Sequence, residues 1–324
     1  MAHDPQAVTL QPGLGELLHF SQTLDSISGN CVTAVAANQL RQLQPTTSLA
    51  ELEARFDATD ELCILLERGT QPALDNFPDL DTPLRRLELG SAALNSEELH
   101  HVSIVLKTAA AVGKSFVEHT DLPYWQAAAG AWDPWPEGAQ RIDAVIDDDL
   151  TIKSTASKQL QAIRRTIARQ EAQVRKRLGD LHSQALTEGW GQEEPVAWRE
   201  GRLVIALKTS HKRKIKGLVH GYSGSGATAF VEPLEVFERN NEIAALHEDE
   251  RAEIARLLAE LTDQLRPCAE SLAACVAALY ELDIHLALAR WARQHKAVRP
   301  VIEAGGRLHL AQARNPVLVE HREV

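Results

Sequence analysis

The sequence predicts a mainly α-helical protein with a helical core and a long two-helix, coiled-coil-like arm that carries a small β-rich tip. Three observations support this prediction. The 324 residues include only 6 Trp, 3 Tyr and 6 Phe, and the composition is rich in Ala, Leu, Glu, Arg and Gln, which favour helices. Strand-forming residues are concentrated between residues 196 and 232. Long apolar repeats at helical spacing flank that segment on both sides.

The first 140 residues are predicted to form the helical core. Ser48 and Glu51 have the spacing of a capping box and are expected to begin one helix. Ser96 begins another helix, with apolar residues on one side of its first five turns. Residues 121–138 are rich in Pro and Trp. They form either a linker or a packed aromatic corner, and the pattern leaves both open.

A long helix is predicted from about Asp149 to Leu186, because apolar residues recur every three or four positions along it. The acidic residues 147–149 are placed to favour the positive end of its dipole. Gly189 then breaks the helix. Strands are expected at 203–207, 217–220 and 227–231.

A second long helix is predicted after the strands, with Pro233 at its first position. Pro267 ends or kinks it, and a further apolar helix follows from Ala269. Because two amphipathic helices can bury their apolar stripes against each other, the two long helices are expected to run side by side. The predicted segments are the core 1–140, the outgoing helix 141–190, the tip 191–232, the return helix 233–266, a helical return to the core 267–300 and a last segment 301–324.

Charge is distributed unevenly along the chain, whose net charge is -11. Residues 1–150 have 8 Lys and Arg against 23 Asp and Glu, whereas residues 151–220 have 15 against 6. A basic segment attracts phosphate-bearing partners even in an acidic protein. The predicted nucleic-acid contacts are Arg199, Arg202, Lys208, His211, Lys212, Arg213, Lys214 and Lys216 in the tip, and Arg164, Arg165 and Arg169 on the outgoing helix.

Several classes of protein are excluded at this stage. The four cysteines are scattered, which argues against a disulfide framework and a thiolate zinc site and favours a reducing, cytoplasmic location. A secretory signal is not recognisable, and an uncharged apolar run of membrane-spanning length is absent from the sequence. No metal site and no catalytic residue are predicted, since no cluster has the spacing that metal binding or nucleophilic catalysis requires.

Two glycine-containing segments resemble phosphate-binding loops only superficially. Residues 223–228 precede a strand, whereas a phosphate cradle needs a helix N-terminus behind it, so we expect a tight turn. Residues 108–115 would match a P-loop if Thr108 were glycine, but they lie in a helical pattern. Lys114 is therefore expected to be an ordinary helix residue, and no cofactor is predicted for the chain.

The tip and the second long helix contain a specific motif. Its residues are Ser225, Gly226, Ala227, Thr228, Phe230, Glu232 and Pro233, followed by Asn240 and Asn241. This string resembles the type-two branch of the MutS family. The resemblance implies a helical core, a long two-helix lever and a clamp at the end of the lever, and it assigns the motif residues a structural role.

The resemblance also implies a functional context. Intact members of the family are ATPases that use ATP and Mg²⁺, some with endonuclease activity, and they are linked to mismatch repair, DNA repair, recombination control and ribosome rescue. Residues 301–324 resemble the start of the ATPase domain, which the chain does not continue. We therefore expect no ATPase activity and no ATP binding in this chain.

Two functions remain open from the sequence. The first is a module that binds DNA or ribosomal RNA through the phosphate backbone without reading base sequence. The alternative is a coiled-coil scaffold for protein interaction or dimerisation, whose lysines serve only solubility. The expected partners are DNA, structured RNA or the ribosome, with a weak homodimer as a further expectation and no membrane.

Overall fold

The computed structural model describes residues 14–90, 92–117, 119, 121–128, 132–302 and 308–320. The chain divides into two compact units. Residues 1–143 and 262–324 form the core unit, and residues 144–261 form the second unit, called here the 144–261 unit. The prediction of a mainly helical protein with a small β-rich part is confirmed, and the strands form one antiparallel sheet.

Helices are the regular secondary structure of the core unit in the part that the structure describes. Its helices are α1 (Leu14–Leu17), α2 (Phe20–Ser28), α3 (Ala34–Arg41), α4 (Leu49–Glu67), α5 (Asp81–Glu88), α6 (Ser96–Val117), α7 (Pro123–Ala127), α8 (Gly138–Val145, ending just beyond the unit boundary), α11 (Ala269–His295) and α12 (Pro316–Glu320). Ser48 caps α4 as predicted, but the reciprocal bond of a full capping box is replaced, because the Ser48 amide donates to the Thr46 hydroxyl at 3.1 Å. The Ser48 hydroxyl accepts a hydrogen bond from the Glu51 amide at 3.3 Å, and Thr46 donates to the Glu51 carboxylate at 2.7 Å.

The residues rich in Pro and Trp form a packed corner and not a linker. Trp125 and Trp132 are each 1% exposed. The indole of Trp125 donates a hydrogen bond to the Ala58 carbonyl at 2.9 Å and stacks on Phe116 with ring centroids 5.8 Å apart. Burial of large aromatic surface is a strong stabilising contribution, so this corner belongs to the hydrophobic core.

The 144–261 unit consists of two long helices and a four-stranded sheet. The elements are α9 (Lys158–Thr187), β1 (Gly191–Arg199), β2 (Arg202–Lys208), β3 (Gly217–Tyr222), β4 (Thr228–Pro233) and α10 (Leu234–Leu265). The strands pair antiparallel in the order β1-β2-β4-β3, so β1 and β3 are the edges.

Both faces of the sheet are covered at its centre. On one face, Leu203, Ile205 and Val231 pack with apolar residues of α9 and α10 such as Val174 and Ile243. The other face has a smaller apolar cluster, formed by Ala197, Val204, Ala206 and Phe230. Alternate residues of β2 therefore point to opposite faces, and both sets are buried.

The two long helices run antiparallel. Ser157, just before α9, bonds to Glu253 in the second half of α10, whereas Arg177, two thirds of the way along α9, bonds to Glu235 at the start of α10. The apolar seam of α9 is buried within the same chain, as Leu160, Ile167, Val174, Leu178, Leu181 and Ala185. Pro267 lies in a 3₁₀ turn over Arg266–Cys268 and ends α10, so α11 begins as a separate helix.

Several boundaries differ from the prediction. Helix α9 begins at Lys158, about two and a half turns later than expected. Before it, Ile146 pairs with Ile152 in a β-bridge, and Asp149 accepts hydrogen bonds from Thr151 in the turn. The prediction that residues 147–149 favour the start of this helix is therefore wrong, because Ser157 is the residue that caps it.

The sheet also corrects two details. Strand β1 was not among the predicted strands, because Pro195 and its polar neighbours interrupt the alternating pattern of that segment. Pro233 is the last residue of β4, and α10 begins one residue later at Leu234. The Leu234 amide donates to the Lys216 carbonyl at 3.0 Å. Because this next residue makes the pairing hydrogen bond, β4 can end in proline.

One helical stretch is as apolar as a membrane-spanning helix. The helical run 234–295 includes a window of 18 residues with a mean hydropathy of 1.6, which is long and apolar enough to cross a membrane. However, 61% of this window is buried inside the fold. Packing against the rest of the protein accounts for its composition. All four cysteines are free thiols.

Candidate nucleic-acid interface

A basic loop joins β2 to β3 and is fixed at both ends. The Thr209 amide donates to the Ala227 carbonyl at 3.0 Å, and its hydroxyl donates to the Gly226 carbonyl at 2.6 Å. Ile215 packs against the apolar cluster between the sheet and the helices. These contacts hold residues 209–216 against the neighbouring turn between β3 and β4. The cations of the loop are therefore presented from an ordered backbone.

The cations of this loop differ in how much of their bonding capacity is used. Arg213, Lys214 and Lys216 are exposed, and their side chains make no hydrogen bond or ion pair with the described residues. Lys212 donates to the Tyr222 hydroxyl at 2.6 Å. His211 lies 2.9 Å from the Ser210 hydroxyl. Three unpaired cations within four positions make this loop the most available positive surface of the sheet.

Lys208 and Arg199 have partial internal roles. The Lys208 ammonium donates to the Gly189 carbonyl at 2.7 Å, where it satisfies a backbone group beyond the C-terminus of α9. The Arg199 guanidinium lies 3.9 Å from the centroid of the Phe230 ring, which is a cation–π contact. Both side chains belong to exposed residues, so they can still reach a phosphate with their remaining donors.

Arg202 has a structural role and is not a free cation. It donates to Glu232 at 2.8 Å and to Asn241 at 2.7 Å. Glu232 has no exposed surface and also accepts from Asn240 at 2.7 Å, with a nitrogen of His220 2.7 Å from its other oxygen. A buried carboxylate needs such partners to compensate for its lost hydration.

This network explains most of the motif found in the sequence. Glu232 is the next-to-last residue of β4, and Asn240 and Asn241 lie about two turns into α10, so the motif residues tie the sheet to the helix. Gly226 adopts φ 71, a left-handed conformation that favours glycine, in the turn between β3 and β4. The predicted turn over residues 223–228 is confirmed: the Thr228 amide donates to the Ser223 hydroxyl at 3.1 Å.

Helix α9 presents a second basic surface. Lys158, Arg165, Arg169 and Lys176 are separated by seven, four and seven residues, so they lie within about 40° of one another around the helix. All four are exposed, and none makes a side-chain hydrogen bond or ion pair with the residues that the structure describes. The buried seam lies on the opposite side of the helix. These four residues are called the α9 stripe.

Other cations of α9 are used to hold the two helices together. Arg164 donates to Glu250 at 2.6 Å and to the Ile152 carbonyl at 2.6 Å. Burial raises the pKa of Glu250, but the hydrogen bonds from Arg164 and His247 lower it more, so the carboxylate stays charged. Arg164 therefore stabilises the helix pair and has less capacity left for phosphate than Arg165 and Arg169.

The near match to a P-loop lies inside α6, as the sequence predicts. A Cβ atom added at Gly113 would come within 3.0 Å of the Trp132 side chain. The glycine thus allows the Trp132 side chain to pack closely against α6. Its backbone is helical, so it does not form a loop around a phosphate.

Comparison with known proteins identifies the family. The family model described as MutS domain III matches residues 16–289. The chain belongs to the MutS domain III family. Similar proteins named Endonuclease MutS2 include those of Alkaliphilus metalliredigens, 29% identical over 306 residues, and Pelotomaculum thermopropionicum, 30% identical over 302 residues. A third, from Lacticaseibacillus paracasei, is 29% identical over 311 residues.

The match covers most of this chain but only part of each relative. The alignments cover 93–95% of this chain but only 38–39% of the relatives' length. The resemblance to the type-two MutS branch is therefore confirmed for the segment that includes MutS domain III. The activity of the complete relatives concerns a protein more than twice as long.

Two residues of the α9 stripe were absent from the predicted site. Lys158 and Lys176 lie seven residues from Arg165 and Arg169, respectively. Seven residues are close to two helical turns, so this spacing already places them on one face of a helix. The sequence therefore contained the signal, which is the spacing of the cations relative to the apolar seam.

Proposed function

We propose that this MutS domain III segment binds nucleic acid through the phosphate backbone, without reading base sequence. In this proposal, α9 and α10 form the lever, and the four-stranded sheet is the clamp. The basic loop and the α9 stripe supply the contacts. DNA and structured RNA offer the same phosphate chemistry, and the relatives' name, endonuclease, is consistent with a nucleic-acid partner.

The unpaired cations are the observation that carries the proposal. The side chains of these exposed residues make no hydrogen bond or ion pair with the described residues: Arg213, Lys214 and Lys216 in the loop, and Lys158, Arg165, Arg169 and Lys176 on α9. Helix α10, in contrast, has nine acidic and three basic residues. A polyanion is therefore attracted to α9 and the loop and repelled by the exposed face of α10.

The dimensions of the α9 stripe are suitable for a nucleic-acid backbone. Eighteen residues of α-helix span about 27 Å, which equals the rise of about eight base pairs. The stripe is a row of Lys and Arg on one helix face, and such cations commonly contact phosphate oxygens, which carry no sequence information. Backbone binding without sequence preference is therefore part of the proposal.

The scaffold alternative has less support. A coiled-coil dimer needs an apolar seam that is free to meet a second chain. The seam of α9 is already buried against the sheet and α10 of the same chain. Homodimerisation of this segment therefore stays a prediction without a surface assigned to it.

Salt dependence of binding tests the proposal directly. The binding of a dye-labelled duplex is measured by fluorescence anisotropy at increasing salt concentration. If four to six phosphates are engaged, log affinity should fall against log salt with a slope of roughly -4 to -5. Several unrelated duplex sequences should give the same affinity within about twofold. A flat salt response, or a clear preference for one sequence, would contradict backbone binding.

A further inference from the structure

The aromatic side chains of this protein are covered almost without exception. All 15 belong to residues that the structure describes, and 13 of them are buried or half-buried. The two exposed ones are Trp198, at 37%, and Tyr222, at 48%. Both lie in the basic sheet. Proteins that hold single strands combine exposed aromatic rings with cations, because every nucleobase has a π-face that can stack.

Tyr222 is held in place at the edge of the sheet beside the basic loop. It ends β3 after an irregularity in the pairing, where Gly221 adopts φ 117. Lys212 donates to its hydroxyl at 2.6 Å, and the same ammonium lies 5.0 Å from the ring centroid. These contacts orient the ring while about half of its surface stays open. A ring that is already ordered loses little entropy when it stacks.

Trp198 is less suited than Tyr222 to stack on a nucleobase beside free cations. It lies on the other edge strand, β1, opposite Leu203 in the pairing register. The neighbouring Arg199 guanidinium lies over Phe230, so it is engaged with a different ring. The cations that are free in the described part of the sheet lie in the β2–β3 loop, beside Tyr222 and not beside Trp198.

We propose that Tyr222 stacks on an unpaired nucleobase while Lys212, Arg213 and Lys214 contact the phosphates on either side of it. This proposal rests on the proposed function and adds a specificity to it. In a duplex the bases are already stacked on one another and are closed to the ring, so Tyr222 contributes only where bases are unpaired. The protein then binds single-stranded DNA or RNA more tightly than a blunt duplex of the same length.

The test compares ligands and variants in one anisotropy assay. The ligands are single strands of DNA and of RNA of about 20 nucleotides, long enough for a typical single-strand site, and the matching blunt DNA duplex. Tyr222→Ala is expected to weaken single-strand binding about tenfold and duplex binding less than about twofold. Tyr222→Phe keeps the ring and loses only the hydroxyl bond to Lys212, so it should retain the single-strand preference.

Leu218→Ala is the matched control. Leu218 lies on the same strand and has the same exposure, 48%, but has no ring. Its substitution should leave both affinities within about twofold of the unmodified protein, since stacking needs a π-face. An equal loss from Leu218→Ala and Tyr222→Ala would overturn stacking and indicate an apolar contact along β3.

A direct readout accompanies the affinities. A single strand that contains 5-iodouracil is crosslinked by light, and the modified peptide is identified by mass spectrometry. A crosslink at Tyr222 supports the proposal, and crosslinks confined to other residues contradict it. If duplex binding is salt-dependent but Tyr222→Ala has no selective effect, only stacking fails. If the unmodified protein binds no ligand, the proposed function fails as well.

Discussion

The two units each contain a carboxylate with no exposed surface, but they satisfy it differently. In the core unit, Asp283 accepts hydrogen bonds from the backbone amides of Val32 and Thr33 and from the Thr33 hydroxyl, each at 2.8 Å. In the 144–261 unit, Glu232 is paired with the cation Arg202. The core unit uses the positive end of a helix for this purpose, whereas the 144–261 unit uses one of its basic side chains.

The cations of the 144–261 unit therefore fall into two groups. In the 144–261 unit, Arg202, Arg164 and Arg177 are engaged with Glu232, Glu250 and Glu235, so part of the basic charge holds the fold together. The cations of the α9 stripe, in contrast, are exposed and make no side-chain hydrogen bond or ion pair with the described residues. A charge total from the sequence does not separate these two groups, but the position of each cation relative to buried acids does.

Removal of the Glu232 carboxylate should have the largest effect on stability. Glu232→Ala leaves Arg202 and Asn240 without their buried partner, and we expect the 144–261 unit to lose about 4 kcal/mol of unfolding free energy. Hydrogen exchange of the β2 and β4 amides measures this locally. Glu200→Ala, at a carboxylate that is 77% exposed, is the control and should change exchange little. Comparable exchange in both variants would show that the buried pair is not essential.

Acid should weaken the core unit before it releases the ion pairs of the 144–261 unit. Burial, with a smaller contribution from Arg55, lowers the pKa of His285 to about 4. An unfolded histidine takes up its proton near pH 6.5, so the unfolded state binds more protons between pH 6.5 and pH 4. The core unit should therefore lose up to about 3 kcal/mol as the pH falls through this range. Burial raises the pKa of Glu61, which offsets part of this loss.

The 144–261 unit should respond at lower pH. Hydrogen bonds from Arg256 and Ser157 lower the pKa of Glu253 to about 2. Its contribution to stability is complete above the unfolded value near 4.5 and is lost as the pH falls toward 2. Hydrogen exchange in α11 and in α10, corrected for intrinsic rates at each pH, separates the two responses. His285→Asn should remove most of the loss in α11, and an unchanged loss would assign it to other groups.

Charge reversal in the basic loop should have the largest effect on binding. Lys212→Glu, Arg213→Glu and Lys214→Glu together are expected to weaken duplex binding about 100-fold, or by about 2.7 kcal/mol. Anisotropy measures the affinity, and circular dichroism should show unchanged helical content, because the loop residues lie outside the helices. Arg251→Glu on α10, at a side chain that is 72% exposed, should change affinity little. Equal losses in the two proteins would indicate a nonspecific effect of charge.

Much of the fold could be predicted because its signals are local. Helices α4, α6 and α11 and strands β2, β3 and β4 follow from periodicity, caps and β-branched residues. The start of α9 could not be predicted, because a β-bridge between Ile146 and Ile152 competes with the helix and the charge pattern does not show it. Strand β1 is specified by pairing with β2, which is a tertiary contact and not a local preference.

The candidate site was less predictable than the fold. The sequence placed Arg202 and Lys214 in one basic set, although the structure gives Arg202 a buried partner and leaves Lys214 unpaired among the described residues. A side chain's partner across the sheet or on another helix depends on the tertiary fold. The spacing of Lys158 and Lys176, in contrast, was available from the sequence alone, since it needs only the geometry of one helix.

Two single substitutions on α9 test whether duplex binding depends on the α9 stripe or on any cation of this helix. Arg169→Glu reverses a stripe residue and is expected to weaken duplex binding about fivefold, or by about 1 kcal/mol. Arg175→Glu reverses another exposed cation, which lies about 120° from Arg169 around the helix. It should change affinity less than about twofold. The same loss from both variants would mean that α9 acts through its total charge and not through an oriented surface.

The smallest effect is expected for Lys114→Ala in an ATP-binding assay. We predict that this chain does not bind ATP, so the substitution has no binding to remove. ATP binding needs a glycine-rich backbone at a helix N-terminus and a lysine near the phosphates. Residues 108–115 lie inside α6, where backbone N–H groups bond to carbonyls four residues earlier and cannot point toward a phosphate. Gly113 is packed against Trp132, so opening a cradle there would also disrupt the aromatic corner. Isothermal titration with Mg²⁺ and ATP should give no saturable heat, and Lys114→Ala should change nothing. Micromolar binding that disappears in Lys114→Ala would show that this segment forms a nucleotide site after all.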